Sequence, residues 1–571
     1  MDGEGVGSDL GSPGQPRRLD ADVVVVGAGP TGLFAAALLA RCGVRLRIID
    51  ESPSQVKESR AFAVQARTLE IFHAIGLAEA FLDRGTLASG ARIYVDGKPG
   101  AGFNFEDVGR SDTPFPLVMI LPQSETEAIL VDDLSRLGIQ VERGVTATAL
   151  TQDSSGVTVS VTGPDGMERT LSCSFLIGAD GAHSVVRKAL GLTFEGAPYA
   201  QTFLLADCAL EGELEQGPFS VFFHRENFAL WFPINGSRFG RVITTSRQEV
   251  TDSSVASVGS SPTTLAEVEE SLRAAANRDL RLKDPVWLSR YRVHHRGVNS
   301  YGTGRVFVAG DAAHIHSPAG GQGMNTGLQD VFNLAWKLAL SVRDGAPREL
   351  LASYDSERRP VGENVLAATD RVFSFVTSNS PWVSAVRNTL LPLAGATIGR
   401  SGMLRSRAFH LVSELGIHYG PGAAVQDEKT APAPWSGGPA PGDRVPDARI
   451  SRTRTAFDLL AGYRFQALAI CRKALSLEEI EAIADELQRL PGATSLDLGV
   501  QLIANSLVGR HPRLIRIEHD TTLSSFGMSD GIDEALYLVR PDGHVAWRSP
   551  SLDFAGLRSF VAGRFRPPSA S

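Results

Sequence analysis

Residues 27–32 run Gly-Ala-Gly-Pro-Thr-Gly, and an aspartate, Asp50, follows about twenty residues on. Those residue types at that spacing can hold a diphosphate. Gly27 permits a tight turn, Gly29 lets the backbone approach a pyrophosphate, and Gly32 lets a helix pack closely on the preceding strand. Pro30 and Thr31 open that helix, whose N–H groups and positive dipole end face an anion. Asp50, with Glu51 beside it, is placed to accept a ribose hydroxyl. The pattern points to a dinucleotide and does not by itself choose between NAD and FAD. A second candidate lies nearly three hundred residues later, in "RVFVAGDAAH", where an apolar strand runs into Gly310 and Asp311. A carboxylate at the end of a buried strand needs partners or a ligand. The glycines that follow, including Gly321 and Gly323, allow backbone to approach a flat ring, and a helix begins at Met324 and Asn325. A third stretch, "LIGADGAHSVVR", places Asp180-Gly181 after a strand, with Arg187 just beyond. Alone it would be a turn; its position between the other two makes it a candidate ligand loop.

The elements that must position these residues are legible around them. "DVVVVGAGPTGLFAAALLARCGVRLRIID" predicts strand, glycine turn, helix and parallel strand, a βαβ unit. Helices are expected over Val64–Ala74, Ser124–Leu137 and Met324–Val342. Between about 200 and 300, aromatic-rich runs such as "FSVFFHRENFALWFPI" predict antiparallel strands. There Phe219, Phe222, Phe223, Phe228, Trp231 and Phe232 alternate, with one face for a core and one for a pocket. The expected organisation is a flexible tail (1–20), a nucleotide-binding domain in two parts (21–195 and 301–416), an inserted sheet domain (196–300), a Pro/Gly/Ala linker (417–440) and a separate small α/β domain (441–571).

A chain of 571 residues suggests roughly three or four domain-sized units. The net charge of −8, without a basic stripe, argues against nucleic acid. Cys42, Cys173, Cys208 and Cys471 have no CxxC spacing, so neither a metal site nor a redox dithiol is expected, and the chain reads as cytoplasmic. Residues 23–40 are uncharged, but their glycines and Pro30 break any membrane helix.

The stretch from Gly304 to Asn325 resembles the second flavin-binding motif of the FAD-dependent aromatic hydroxylases related to para-hydroxybenzoate hydroxylase. The likeness runs from about residue 21 to 548, and points to the subgroup with a thioredoxin-like C-terminal domain. It implies an α/β fold: a glutathione reductase-type FAD-binding Rossmann domain, an inserted antiparallel-sheet substrate domain and the thioredoxin-like unit. It further implies that Asp311 bonds the ribityl chain of FAD, that backbone near Met324 and Asn325 meets the flavin ring, and that Pro318 sits over it. Asp180 would tie FAD to NAD(P)H binding, and Arg60 and Gln123 match further FAD-contacting positions. The implied activity is hydroxylation of a phenolic or polycyclic, polyketide-type aromatic with NADPH (or NADH) and O₂, through a flavin C4a-hydroperoxide. Partners are thus a small aromatic substrate, O₂ and NAD(P)H, without nucleic acid or membrane; a homodimer is admitted. Another flavin enzyme, such as a halogenase, and a flavin-binding protein without turnover are the alternatives. Where certain phenol hydroxylases carry an acid, this chain has Phe62, so no catalytic carboxylate is carried over there. For substrate, Arg296 is a candidate to stabilise a phenolate and Tyr291 to hydrogen-bond it. His294 and His295 point opposite ways on a strand, so at most one faces a pocket.

Overall fold

The structure, a computed structural model, describes residues 19–55, 61–104, 113–215, 217–234, 238–246, 263–315, 321–376, 378, 380, 382–383, 409–410, 413–427, 435, 437–452, 454–494, 496–519, 521–528 and 531–566. The apolar run Ala21–Val26 is the centre of an eight-stranded sheet. It pairs in parallel with Leu46–Asp50 on one side and with Glu168–Gly178 on the other. Val306–Val308 extends the parallel order beyond Glu168–Gly178, and Val141–Arg143 extends it beyond Leu46–Asp50. Val23, Val24 and Val25 are fully buried, as a parallel strand covered on both faces requires. The helix Pro30–Arg41 buries every residue from Gly32 to Leu39 between this sheet and the long helix Gly323–Asp344. The uncharged stretch is therefore core. Among the described residues no helix is long and apolar enough to cross a membrane.

A second sheet of eight strands carries the aromatic segment. Its centre is two long antiparallel strands, Phe194–Glu211 and Arg281–Val298. It reaches beyond the expected 196–300 in both directions. Gly90–Val95 and Lys98–Asn104 form one edge, and the two-residue strand His314–Ile315 the other. The sheet is also not wholly antiparallel, because Phe219–His224 runs parallel to Gly90–Val95. Gly90–Val95 lies more than a hundred residues from that neighbour, so no local signal announced the pairing. The helix Leu265–Ala276, amphipathic and capped by the Thr264 side chain at Glu267 N, covers one face. Phe222 and Trp231 pack beneath it, while Phe219 and Phe232 join Phe62, Phe203 and Tyr291 on the opposite face. The alternating aromatics thus divide between two cores, one beneath this helix and one around Phe62, and none of them borders a hollow among the described residues.

The C-terminal sheet has the strand order Ile515–Arg516, Leu498–Ser506, Phe465–Leu475, Glu534–Val539, Val545–Ser549, with the first three parallel and the last two antiparallel. With helices Leu477–Thr494 and Phe554–Phe565, this is the thioredoxin-like arrangement. Cys471 is buried and its thiol is pushed up to about 12 by burial.

Two expectations about this end of the chain need correction. The segment read as a linker is anchored to the fold at several of its described residues: Tyr419, Ala424, Val425 and Trp435 are buried, and Gln426 N donates to Ala546 O. Nor is the unit separate. The turn Pro541-Asp542-Gly543 inserts a charged cluster against the long helix. Arg540 makes two bonds to Glu357, at 2.9 and 2.8 Å, and Lys337 Nζ meets the same carboxylate at 2.9 Å. Arg540 also pairs with Asp542, whose backbone carbonyl accepts from Arg67 at 2.6 Å. Burial opposes charge on Glu357, but Arg540 and Lys337 outweigh it and hold the carboxyl down to about 2. Lys337, where burial dominates over Glu357, is lowered to about 8. Composition shows polar residues here but not that they meet across two units.

Removing one partner from a buried charged cluster strands the others, at a cost of roughly 3–5 kcal/mol. Asp542→Ala is therefore expected to lower the urea-unfolding free energy by about that amount, whereas Asp165→Ala, which breaks the surface pair with Arg169, leaves the transition in place. A chain ending before residue 440 is expected to be recovered misfolded, without the cooperative transition of the full chain.

Candidate functional site

Two of the passages from the first sheet to the second lie beside the glycine turn. One crosses between Gly178 and Phe194, the other between Val308 and His314. Two adjoining hollows of about 410 and about 340 Å³ open where these crossings meet the glycine turn, and they share Gly29, Gln123, Ala179 and Gly181.

The first hollow is built on Gly27. Its φ is 102°, and a Cβ there would run into the carbonyl of Ala179; at Gly32 a Cβ would strike the carbonyl of Gly27. Gly29 has open space instead, with nothing within 4 Å of a Cβ. No side chain caps the helix that starts at Pro30, so its first N–H groups remain available to an anion. Asp50 accepts from Ala28 N at 2.6 Å and Ser52 N at 2.9 Å, and Arg143 lies 3.3 Å away. A carboxylate has about four acceptor sites, so Asp50 can still take ribose hydroxyls. Glu51 borders the same hollow. Gln123, at the start of helix Gln123–Arg136, donates to Glu127 at 2.9 Å, and burial raises the Glu127 carboxyl. Neither Glu127 nor Arg143 carried a sequence signal, because each comes from an element outside the motif.

The second hollow contains Asp311. The strand ends at Val308, and Gly310–Ala312 forms a single 3₁₀ turn. Gly310 has φ 59°, and a Cβ there would lie 2.6 Å from Thr31 Oγ1. Asp311 is exposed and borders the hollow. It is not the buried charge that its position after an apolar strand suggested; that carboxylate is Asp330 on the helix behind it. Gly321, with φ 63°, Gly323 and Met324 form the floor. Asn325 is fully buried and its side chain is fully engaged. Its Oδ1 accepts from Gln65 N and Thr68 Oγ1, at 3.0 and 2.7 Å. Its Nδ2 donates to Ala63 O and Gly321 O, at 2.9 and 2.6 Å. Only backbone at this position can face a ligand. Arg60 and Pro318 lie outside the described residues.

Asp180 serves the fold first. Its carboxylate accepts from Ser184 Oγ at 2.5 Å and from Val185 N and Val186 N at 2.7 and 3.1 Å, capping the helix Val185–Ala189. Arg187 donates to Ala312 O and Ala182 O, at 3.0 and 2.7 Å, and so ties one crossing to the other. On the strand Arg281–Val298, Tyr291 borders the hollow and Arg296 does not. The lining cation is Arg292, whose Nε donates to Tyr199 O at 3.0 Å. Arg296 instead pairs, through its backbone register, with Ile315 and Gly196. His294 faces the hollow, and burial together with Arg296 and Arg292 lowers its imidazole. His295 points away, its ring 4.9 Å from Tyr199. Phe62 completes the wall, 4.5 Å from the ring of Phe232, with the buried guanidinium of Arg241 5.1 Å from its own ring. Among the described residues no group of His, Cys, Asp or Glu could hold a metal ion.

The shape and donors of the joined hollows suit FAD. The first offers an uncapped helix start and an acid for a diphosphate and ribose. The second offers a polar turn and glycine-rich backbone beside aromatic side chains for a polyol chain and a flat ring.

The comparisons with known proteins agree. Residues 20–369 match the family model described as FAD binding domain, and residues 438–568 that of aromatic-ring hydroxylase, C-terminal. The chain is 32% identical over 560 residues to a 12-dehydrotetracycline 5-monooxygenase/anhydrotetracycline 6-monooxygenase of Streptomyces rimosus, covering 96% of this chain and 99% of that one. It is 31% identical to the pentachlorophenol 4-monooxygenase of Sphingobium chlorophenolicum, covering 95% of each. The solved anhydrotetracycline hydroxylase from Streptomyces rimosus superimposes with a TM-score of 0.73 at 29% identity, covering 96% of this chain and all of that one. The chain belongs to the FAD-dependent aromatic monooxygenases, in the group that ends in the aromatic-ring hydroxylase C-terminal domain.

Proposed function

We propose that this monooxygenase hydroxylates a polycyclic phenol of polyketide type. The observation that carries this reading is the aromatic wall of the second hollow, where Phe62 and Tyr291 border the space and Phe232, Phe219 and the fully buried Phe203 pack behind them. Asp311 is the one carboxylate among the described residues that border the flavin-side hollow. A flat, fused-ring substrate gains from such a wall, since each aromatic contact is worth ~0.5–1.5 kcal/mol beyond its buried area. The tetracycline-directed activity printed for the Streptomyces relative fits the same class.

A bound FAD would supply the redox and oxygen-transfer chemistry, with NAD(P)H as the reductant. The chain's own groups hold and shield it. Backbone from Gly27 to Gly32 receives the diphosphate at the helix start, and Asp50 takes the ribose. Asp311 accepts hydroxyls of the ribityl chain, and the backbone from Gly321 to Asn325 approaches the ring. Gln123 closes the side between the two hollows. Tyr291 is placed to hydrogen-bond the substrate's oxygen. With no acid where Phe62 stands, the phenol must ionise without a carboxylate base, and the cationic Arg292 in the wall favours the phenolate. The aromatic wall excludes water from the reacting ring.

The test is turnover with a panel running from simple phenols to fused-ring phenols, measuring NAD(P)H consumption and incorporation of ¹⁸O from labelled O₂. Product from the fused-ring members is expected; turnover of simple phenols alone would refute the substrate class. Phe62→Ala is expected to raise KM for a fused-ring phenol by up to about tenfold while leaving FAD content unchanged. Asp311→Ala should yield folded protein whose Kd for FAD rises about ten- to hundredfold, since hydrogen bonds to a charged group contribute roughly 1.5–3 kcal/mol. Fluorescence titration with FAD reads this directly, and an unchanged Kd would remove Asp311 from the site.

A further inference from the structure

Asp330 borders neither hollow, yet it is a carboxylate with 1% exposure in the middle of the helix that backs the second one. An ionised carboxylate so placed is costly unless each oxygen is met by a donor. Three donors meet it. Gly310 N–H reaches its Oδ2 at 3.2 Å, His314 Nε2 reaches the same oxygen at 2.6 Å, and Arg358 Nε reaches Oδ1 at 2.9 Å. Burial pushes the carboxyl up, but His314 and Arg358 outweigh it and hold it below the usual range. The acceptor is therefore an anion, and His314 presents its Nε2–H to it.

The order of these donors along the chain is informative. Gly310 and His314 bracket Asp311, so one buried oxygen grips the turn at both ends. Arg358 is itself held by Thr326 O at 3.2 Å and Tyr419 Oη at 3.2 Å, which fixes Asp330 from behind. At the front, Thr31 is wedged against Gly310 and Gly327, each 2.6 Å from Thr31 Oγ1 if given a Cβ. The turn is thus fixed between the first glycine loop and the Asp330 carboxylate, with Asp311 the exposed residue between its two anchors.

We propose that Asp330 and His314 are positioning residues for the cofactor: together they set the backbone of residues 310–314 so that Asp311 points at the bound flavin's polyol chain. The inference rests on the reading of Asp311 as an FAD ligand. A buried pair that served stability alone would act on the whole fold, whereas this one acts on FAD through Asp311.

A double-mutant cycle on FAD affinity separates these roles. His314→Ala is expected to raise the Kd for FAD about tenfold and to shift the bound-flavin absorbance spectrum. His314→Gln, whose amide N–H replaces Nε2–H, should restore affinity to within about threefold. In an Asp311→Ala background, His314→Ala should add less than about twofold. An equal tenfold loss in both backgrounds, or an unchanged Kd in folded His314→Ala, would overturn the proposal. If His314→Ala does not fold, His314→Asn replaces it, since its shorter side chain withdraws the same donor; full affinity in that variant is likewise fatal. The failure of the underlying reading looks different: there Asp311→Ala alone leaves FAD binding intact.

Discussion

Backbone contact between distant loops is the constraint on which the rest of the site depends. Gly27 lies against the carbonyl of Ala179, Gly32 against that of Gly27, and both Gly310 and Gly327 against Thr31. No side chain fits at these points, so three stretches of sequence are drawn to one place by the absence of a Cβ. Parallel strand order does the rest. Ala21–Val26, Glu168–Gly178 and Val306–Val308 are adjacent and point the same way, so all three following loops emerge at the same edge. A ligand at that edge is bounded by loops, where binding residues can vary without disturbing the core.

Charge buried behind those loops makes their geometry definite. Apolar packing fixes spacing but not the direction in which a backbone N–H points, because burial of apolar surface is non-directional. The Asp330 carboxylate does fix it, since its three donors come from fixed directions on the 310–314 turn and on the helix Arg348–Val376. The same principle operates farther along the long helix, where Lys337, Glu357, Arg540 and Asp542 join the C-terminal unit to the nucleotide fold. Arg67 is held by the C-terminal turn, and its neighbour Thr68 hydrogen-bonds Asn325 at the start of that helix. The C-terminal unit is therefore continuous, through two residues, with the floor of the flavin-side hollow.

How much of this the sequence disclosed depends on how far apart the interacting residues lie. The βαβ unit and the glycine turn were legible because strand, turn, helix and acid fall within thirty residues and each constrains its neighbours. The thioredoxin-like order was legible for the same local reason. What escaped were choices of distant partner. Nothing near Arg187 says that its guanidinium reaches Ala312 O on the other crossing. Nothing near Asn325 says that four bonds consume its amide, and alternation along Arg281–Val298 does not distinguish Arg292 from Arg296 as the cation in the wall. Asp311 was identified for a reason that proves incomplete: an acid after an apolar strand suggests buried charge, but the buried charge belongs to Asp330, two helical turns into the next element.

The aromatic wall carries this distinction into chemistry. A carboxylate at position 62 would stand against Phe232 and within reach of the guanidinium of Arg241, which Asp207 already neutralises with two bonds of 2.7 Å. With that cation satisfied and the surrounding side chains apolar, a second acid would lack a compensating partner and its pKa would rise, so it could not stay ionised as a base without further change around it. Phenylalanine fits the surroundings as they stand. Phe62 and the Arg241–Asp207 pair beneath it are thus matched in polarity. On the proposed reading, a large flat substrate held against this wall supplies the phenolate by its own acidity.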